Sequence, residues 1–490
     1  MRACVAVLLL FLSLEASAQV AEDVTVLYTV SGVAGEFFGD SIDLVPDVDG
    51  DGAAELLAGA PFGANGGRAV LLSGRGGRQI RELRVSGARQ FGWEVLAWGD
   101  ELLVTAPQSG NVYLFSASTG QQLRSWSGET AADRFGERIA RRGDTIVIAA
   151  PSASANGGTS GAIYAYSASS GELLYRITGD RAGDHFGSAV GFLRDGTLAV
   201  GAYTGGSHRT GAVYVYDGTT RVLAVDGEED GATFGRHYIG PAGNDIITAD
   251  IGHRDNSGRA YIVSRTSGQF VRTFSGTHTE QFLGTGVRQL ADVDADGVPD
   301  LFIGAAFDNT RGALAGKAEI HSGRDFSIIR TLTGTRAGAT FGARGISVGD
   351  VNGDGIGDLL VTAPTDNRNG DRAGSIHVLS GRSFRSGLPS IGFELTDGVG
   401  ITRSFSLRAT NFALSCDATG DGQVRIDVDG VFDHRTCRLD TALAGSYAPG
   451  SHVITATAED PGQHAIPSIP PASVNVRIIP SVRRRAVAPR

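Results

Sequence analysis

Residues 38–61 read FGDSIDLVPDVDGDGAAELLAGAP, and the parts of this stretch return along the chain about every 50 residues. The opening Phe-Gly pair recurs at Phe38-Gly39, Phe91-Gly92, Phe135-Gly136, Phe186-Gly187, Phe234-Gly235, Phe341-Gly342 and, in a stretched form, Phe282-Leu283-Gly284. A unit that returns seven times at a nearly constant period indicates a repeat architecture. The fold therefore has to be derived from the unit and from how its copies stack.

Each unit predicts four short strands. In the first copy the apolar runs cover residues 41–44, 56–61, 68–72 and 80–85, and Gly, Pro, Asn or Ser residues separate them. Short apolar runs between turn residues are typical of strands joined by hairpins. No segment keeps a 3.6-residue period, which excludes a helical solenoid, and a non-repetitive β-sandwich would not return seven times. Four strands in about 50 residues form one propeller blade, so we expect an all-β, seven-bladed β-propeller.

The two ends of the repeat array predict how the ring closes. The last unit reaches residues 376–379 and then continues to Pro389 without a convincing fourth strand, whereas a matching strand at residues 26–32 precedes the first unit. We therefore expect the N-terminal strand to complete the seventh blade. Closure of this kind removes a sheet edge that would otherwise pair with other chains.

Acidic loops occupy one fixed place in the first, sixth and seventh units. They read DVDGDGAAE at residues 47–55, DVDADGVPD at 292–300 and DVNGDGIGD at 350–358. Oxygen donors stand at positions 1, 3, 5 and 9, with a glycine at position 6, as in the first part of an EF-hand loop. The predicted side-chain ligands are Asp47, Asp49, Asp51 and Glu55; Asp292, Asp294, Asp296 and Asp300; and Asp350, Asn352, Asp354 and Asp358, with the position 7 carbonyls of Ala53, Val298 and Ile356.

The donor chemistry of these loops favours calcium. Alternate side chains of a tightly wound loop converge, and hard oxygens suit Ca²⁺, whereas Mg²⁺ prefers fewer protein ligands and keeps its waters. A solvated acidic turn, or a helix pair of the EF-hand or dockerin type, is the alternative interpretation. An apolar strand follows each loop, however, and twelve residues always separate the first Asp from the next Gly-Ala-type triplet. We predict three Ca²⁺ sites and metal-free short turns in units two to five.

Phe-Gly, an acidic loop and Gly-Ala-Pro in this order resemble the FG-GAP repeats of the integrin α-subunit propeller. The resemblance covers about residues 24–387; it is specific in units one, six and seven and weaker in unit five, where Thr248-Ala249-Asp250 replaces the triplet. It implies calcium on the face that holds the hairpins between first and second strands. It also implies that partners bind the opposite face.

The ends of the chain predict export and a second domain. Residues 1–18 are predicted to be a signal peptide, because an apolar run at 3–14 precedes the small-residue cleavage site Ala16-Ser17-Ala18. The propeller is assigned to residues 19–387, a small β-sandwich resembling a bacterial immunoglobulin-like module to 388–480, and a basic tail to 481–490. In an oxidising compartment Cys416 and Cys437 are expected to form a disulfide.

Charge and motifs leave two classes of function open. The net charge is −10, and the three loops contain eleven carboxylates, so the acidity is local and gives no support for nucleic-acid binding. We expect a secreted, periplasmic or cell-surface protein without a membrane span that binds an extracellular protein or carbohydrate ligand, with structural calcium. The alternative is a secreted propeller lyase or hydrolase acting on a polysaccharide or phosphoester, although no catalytic constellation is recognisable. The expected ligand face includes Tyr203, His208, Arg209, His253, Arg254, Asp366 and Arg368.

Overall fold

A computed structural model describes residues 24–228 and 233–385 in full, together with the backbone of seven strands between residues 390 and 478. The chain divides into two compact units, which are described separately. The predicted signal peptide, Cys416, Cys437 and the basic tail lie outside the described residues.

The first unit is a seven-bladed β-propeller of four-stranded antiparallel blades, which confirms the predicted fold. Strand β1 is Val26–Ser31. Blade one contains β2–β5 (Ile42–Val45, Glu55–Ala60, Arg68–Leu72, Gln79–Leu83), blade two β6–β9 (Val95–Trp98, Glu101–Ala106, Asn111–Ser116, Gln122–Ser127), blade three β10–β13 (Arg138–Arg142, Thr145–Ala150, Ala162–Ser167, Leu173–Thr178), and blade four β14–β17 (Phe186–Phe192, Leu198–Ala202, Ala212–Asp217, Thr220–Asp226). Blade five contains β18–β21 (Ile239–Ala242, Asp245–Asp250, Arg259–Val263, Phe270–Ser275), blade six β22–β25 (Gly286–Gln289, Leu301–Ala305, Lys317–His321, Ile328–Thr333), and blade seven β26–β28 (Gly345–Gly349, Asp358–Ala363, Ser375–Leu379).

Strand β1 is the fourth strand of blade seven. It runs antiparallel to β28, with Val30 opposite Ile376 and Ser31 opposite Ser375. The outermost strand of the last blade therefore comes from the N-terminal side of the array. The expected ring closure is confirmed.

The hydrophobic core lies between the blades. One cluster of buried side chains fills each of the seven blade interfaces, and the cluster between blades seven and one includes Phe38, Leu56 and Ile376. Each blade therefore buries both faces of its middle strands against its neighbours, which is why these strands are almost continuously apolar.

The Phe-Gly pair links each blade to the previous one. In blade two the N–H of Phe91 donates to the carbonyl oxygen of Gly66 in the previous unit (2.8 Å), and the N–H of Gly92 donates to Thr105 in its own blade (3.0 Å). The phenylalanine ring fills the interface. The glycine has φ +91°, and a Cβ atom there would lie 2.2 Å from the carbonyl oxygen of Arg68. Both residue types are thus required by the geometry.

In the stretched copy of blade six, a leucine occupies the position that the phenylalanine takes in the other blades. Leu283, not Phe282, bridges to Gly258 and is 2% exposed, as the phenylalanines of the other blades are. Phe282 stands one position earlier, with φ +52°, and packs against Phe307. Leu283 thus takes the core position in this blade, because the interface needs apolar volume and leucine supplies it.

Among its described residues, the first unit contains four short helical turns. They are Ala64–Gly66, Ala131–Asp133, the distorted single turn His253–Asn256, and Gly381–Phe384. Among the described residues no helix has the length and apolar character that crossing a bilayer requires.

The second unit contains two antiparallel sheets. Strands β29 (Ser390–Leu395), β30 (Ser404–Thr410) and β33 (Asp440–Ala442) form one sheet, and β31 (Val424–Val428), β32 (Val431–Thr436), β34 (Gly450–Ala458) and β35 (Ala472–Ile478) form the other. The immunoglobulin-like sandwich remains a prediction.

Candidate metal loops and ligand face

Two edges of the propeller carry different groups. The FG face is the edge where the innermost strands begin after each Phe-Gly pair and where the second strands end. The hairpin face is the opposite edge, which holds the hairpins between first and second strands and the turns after the third strands. Strand direction alone places the acidic loops on the hairpin face and the residues beside the Phe-Gly pairs on the FG face.

In two of the three acidic loops the carboxylates converge. One oxygen from each of Asp47, Asp49, Asp51 and Glu55 lies within 4.8 Å of the others, and the same holds for Asp292, Asp294 and Asp300. Several carboxylates this close repel one another, and they offer the hard oxygens that Ca²⁺ binds. The donor set therefore fits a divalent cation.

In the acidic loop of blade six, Asp296 lies outside the cluster that Asp292, Asp294 and Asp300 form. Its carboxylate accepts a hydrogen bond from Nε of Arg324 (2.9 Å), and this bond holds the pKa of Asp296 below its ordinary value. In the first loop Asp51 instead accepts a bond from the Ser73 hydroxyl (2.7 Å), which lowers the pKa of Asp51. Hydrogen bonds to the ionised form keep both groups charged.

The carboxylates at position 9 are fully buried and connect two parts of the blade. One oxygen accepts the N–H of position 2 in the same loop, and the other accepts a glycine N–H in the turn after the third strand. For Glu55, Asp300 and Asp358, the loop donors are Val48 (2.7 Å), Val293 (2.7 Å) and Val351 (3.0 Å), and the turn donors are Gly74 (3.4 Å), Gly323 (3.0 Å) and Gly381 (2.8 Å). Burial raises the pKa of Glu55 and of Asp300, so a bound cation would stabilise their charged forms.

The third loop shares this local winding. The N–H of position 7 donates to the carboxylate at position 5 in all three loops, namely Ala53 to Asp51 (2.9 Å), Val298 to Asp296 (2.8 Å) and Ile356 to Asp354 (2.9 Å). Position 3 of the third loop is Asn352, whose amide oxygen accepts the N–H of Asp354 (2.9 Å). Among the residues that the structure describes, the carboxylate clusters are those of blades one and six.

Blades two and three replace the loop with a single aspartate, a feature that the sequence analysis missed. Asp100 accepts bonds from the Ser116 hydroxyl (2.8 Å) and the Ser118 N–H (2.7 Å), and Asp144 accepts the equivalent bonds from Ser167 and Ser169. These contacts join the same two turns that the position 9 carboxylate joins elsewhere. The recurring Ser-Ala-Ser and Asp in these units was the available signal.

The FG face carries aromatic and cationic groups next to the Phe-Gly pairs. Phe37 contacts Phe62 (ring centroids 4.8 Å apart), Phe62 contacts Trp93 (6.2 Å), and Arg134 lies over Trp93 (5.4 Å). Phe62 is 46% exposed. A second group stacks His185 on Tyr203 (4.6 Å) with Arg236 over Tyr203 (4.8 Å), and Phe282 with Phe307 form a third.

Two residues expected on the ligand face are buried. His253 is 2% exposed and Asp366 is 1% exposed, so neither presents its side chain to a macromolecule. The Ser375 hydroxyl donates to Asp366 (2.7 Å) and lies 2.9 Å from Nε2 of His377, while Thr29 contacts Nδ1 of His377 (3.0 Å). This network lies inside blade seven, and Thr29 connects strand β1 to it. Although it contains a serine, a histidine and an aspartate, its burial gives it a structural rather than a hydrolytic role.

Three segments of the propeller are similar to a known sequence repeat. Residues 38–72, 127–166 and 342–379 match models of the FG-GAP repeat. The propeller carries FG-GAP repeats. These segments include the Phe-Gly pairs of blades one and three, and they include the acidic loops of blades one and seven.

The sequence of the FG-GAP propeller is similar to those of integrin α chains. It is 27% identical to integrin alpha-4 of Xenopus laevis over 274 residues, which is 52% of this chain and 24% of that protein. It is 25% identical to integrin alpha-8 of Gallus gallus over 175 residues (34% of this chain, 16% of that protein), and 24% identical to integrin alpha-8 of Homo sapiens over 170 residues (33% and 16%). The chain thus spans a quarter or less of the length of these relatives.

Proposed function

We propose that this chain is a secreted binding protein of adhesion type. Its FG-GAP propeller would bind an extracellular protein or glycan on the FG face and hold structural Ca²⁺ on the hairpin face. Similarity to integrin α chains supports the adhesion class, and the convergent acidic loops support the metal.

The observation that carries the ligand-binding proposal is the set of exposed aromatic groups on the FG face. Phe62 and Phe307 are 46% and 37% exposed, and each packs against an aromatic residue beside a Phe-Gly pair. Aromatic and arginine side chains dominate the energetics of binding surfaces because they bury a large area with few rotamers to order. Arginines over Trp93 and Tyr203 add cationic groups to the same face.

Calcium in this proposal stabilises the fold and takes no part in chemistry. The ligands would be the oxygens of positions 1, 3, 5, 7 and 9, in blades one, six and seven. A cation bound only by the folded loops stabilises them in proportion to its free concentration.

An array of glycans and extracellular proteins, probed with and without chelator, tests the binding proposal. Phe62→Ala with Phe307→Ala should abolish capture of whichever ligand the unaltered protein retains. The matched control is Leu123→Ala with Leu174→Ala, because these leucines are 49% and 51% exposed on the outermost strands of blades two and three. Capture that survives the first pair and is lost with the second would place the ligand elsewhere and contradict the proposal.

Enzymatic turnover is the competing function. Incubation of the purified protein with polysaccharides and phosphoesters, followed by product analysis, distinguishes the two classes. Product formation that a substitution on the FG face abolishes would replace the binding proposal with the lyase or hydrolase alternative.

Export is proposed on the basis of residues 1–18, and the disulfide on the basis of Cys416 and Cys437. Mass spectrometry of secreted protein should find Gln19 as the first residue. It should also find a mass lower than that of the reduced chain by two hydrogen atoms.

A further inference from the structure

The innermost strands of all seven blades enclose a central cavity of about 450 Å³. A cavity of this size accommodates a small organic ligand. The charged or titratable side chains that line it include Asp40, Glu94, Arg138, His237, Arg288 and Arg344.

Four of these residues stand next to the Phe-Gly pairs. Glu94, Arg138, His237 and Arg344 each follow the glycine of their blade by two positions, and Asp40 follows Gly39 directly. The start of each innermost strand therefore directs them into the cavity near the FG face. The ring of blades gathers groups that lie up to about 300 residues apart in sequence.

The ion pairs inside the cavity leave one guanidinium without a carboxylate. Arg288 lies 3.4 Å from Asp43, and Arg138 lies 3.6 Å from Glu94. Arg344 instead donates from Nη1 to the carbonyl oxygens of Thr285 (3.1 Å) and Ala343 (3.0 Å). Within the described part of the chain, Arg344 forms no ion pair with a carboxylate.

Further polar atoms in the cavity are buried without a hydrogen-bond partner. They are Oε2 of Glu94, Nε of Arg138 and Nε2 of His237. Native proteins satisfy nearly all such atoms with protein groups, ordered water or a ligand, so these three atoms are available to a molecule bound in the cavity. One partner would have to reach blades two, three and five together.

Protonation favours an anion over a cation as that partner. Burial raises the pKa of Glu94 to about 7 and raises the pKa of Asp40, while burial and the charge of Arg138 lower the pKa of Arg344. The raised pKa values of Glu94 and Asp40 reduce the negative charge near Arg138 and Arg344, which leaves these guanidinium groups able to bind an anion. The remaining carboxyl groups disfavour a doubly charged anion such as phosphate.

We propose that the central cavity binds a small hydroxylated monocarboxylate, with its carboxylate between Arg138 and Arg344 and its hydroxyls toward Asp40, Glu94 and His237. Guanidinium forks match a carboxylate in geometry and charge, and the acidic and imidazole groups can pair with hydroxyls. Trp93 lines the cavity and also contacts Phe62 on the FG face, but the proposed ligand contacts do not involve Phe62 or Phe307 and do not depend on the adhesion proposal.

Calorimetric titration of the full secreted chain with sodium D-galacturonate tests the proposal. D-galactose and D-galactosamine are the matched neutral and cationic probes, and inorganic phosphate is the doubly charged one. We expect heat of binding with galacturonate and none with the other three. Arg344→Met should weaken galacturonate binding about tenfold or more, since a hydrogen bond to a charged group is lost.

Arg194→Gln is the matched control, because Arg194 is an exposed arginine outside the cavity, and it should bind galacturonate as the unaltered protein does. Arg344→Met also loses the hydrogen bonds to the carbonyl oxygens of Thr285 and Ala343, so its melting temperature without ligand is measured first to establish that it folds. If that variant does not fold, Arg138→Gln should show the same loss of binding. Absence of galacturonate binding at about 10 mM, equal binding by either cavity variant, or equal or tighter binding of galactose, galactosamine or phosphate would each overturn the proposal.

Discussion

The N–H of Phe38 donates a hydrogen bond to the carbonyl oxygen of Ala373 over 3.1 Å. This bond joins the first blade to the last, and it repeats between those blades the contact that Phe91 makes with Gly66. Together with the pairing of β1 and β28, it closes the ring. Closure leaves no blade with an exposed interface.

Removal of β1 should therefore open the propeller. A chain that begins at residue 32 should melt at a lower temperature than one that begins at residue 24, and it should self-associate, because β28 would become an unpaired edge. Calorimetry and light scattering measure the two effects. Identical melting of both chains would show that β1 does not contribute to closure.

The register of blade six can be tested by two alanine substitutions. Leu283→Ala should lower the free energy of unfolding by about 2–5 kcal/mol, because Leu283 fills the interface between blades five and six. Phe282→Ala removes a larger side chain but should cost only about 1 kcal/mol, since it loses one aromatic contact near the surface. Denaturant unfolding measures the free energy lost in each variant. A larger loss in Phe282→Ala than in Leu283→Ala would show that Phe282 is the core residue.

Alanine substitutions at Gly92 and Gly99 distinguish the cost of backbone strain from the cost of steric overlap. Both have positive φ, but only a Cβ at Gly92 meets backbone atoms, with the Arg68 carbonyl oxygen at 2.2 Å, whereas a Cβ at Gly99 meets nothing within 4 Å. Gly99→Ala should cost about 1–2 kcal/mol, and Gly92→Ala should cost about 3 kcal/mol or more, because overlap adds to strain. Equal costs in chemical denaturation would argue against the close approach of the two blades.

Calcium should raise the melting temperature through the acidic loops. At a free concentration about one hundred times the dissociation constant, each site should contribute about 2.7 kcal/mol. Asp292→Asn should remove the contribution of the sixth blade. Asp100→Asn, in a blade without an acidic loop, should lower stability by about 1 kcal/mol with or without chelator.

Melting curves in calcium and in chelator provide the comparison. If calcium raises the melting temperature of Asp292→Asn as much as that of the unaltered protein, the loop of blade six is not a calcium site. If the stability lost in Asp100→Asn differs between calcium and chelator, Asp100 is not a metal-free contact.

Acid should weaken the propeller through His377. Burial and the charge of Arg368 lower the pKa of His377 to about 3, whereas an exposed histidine has a pKa near 6.5. Between these values the unfolded chain binds a proton that the folded chain does not, so the free energy of unfolding falls as the pH decreases from 6.5 to 3. Each unit of pKa difference corresponds to about 1.4 kcal/mol.

His377→Gln should flatten the pH dependence of stability in this range relative to the unaltered protein. His208→Gln is the control substitution, because His208 is an exposed histidine. Unfolding by denaturant at several pH values measures the slopes. Parallel slopes for the unaltered protein and His377→Gln would show that this histidine is not buried in its neutral form.

The sequence by itself determined the number of blades, the four strands of each blade, the closing N-terminal strand and the places of the acidic loops. These features depend on local patterns, namely short apolar runs, turn residues, and ligand spacing within nine residues of chain. In the stretched copy the sequence did not show whether Phe282 or Leu283 fills the interface, because both side chains are apolar and the choice depends on the volume to be filled.

Only the tertiary structure decided which distant residues meet. Asp100 and Ser116, Glu55 and Gly74, and Arg344 and the side chains of the other blades come together through strand pairing and ring closure, and no local period records those distances. The same holds for burial, since His253 and Asp366 look like solvated loop residues in sequence yet pack inside the blades. The cavity and its charges exist because seven strands converge on one axis.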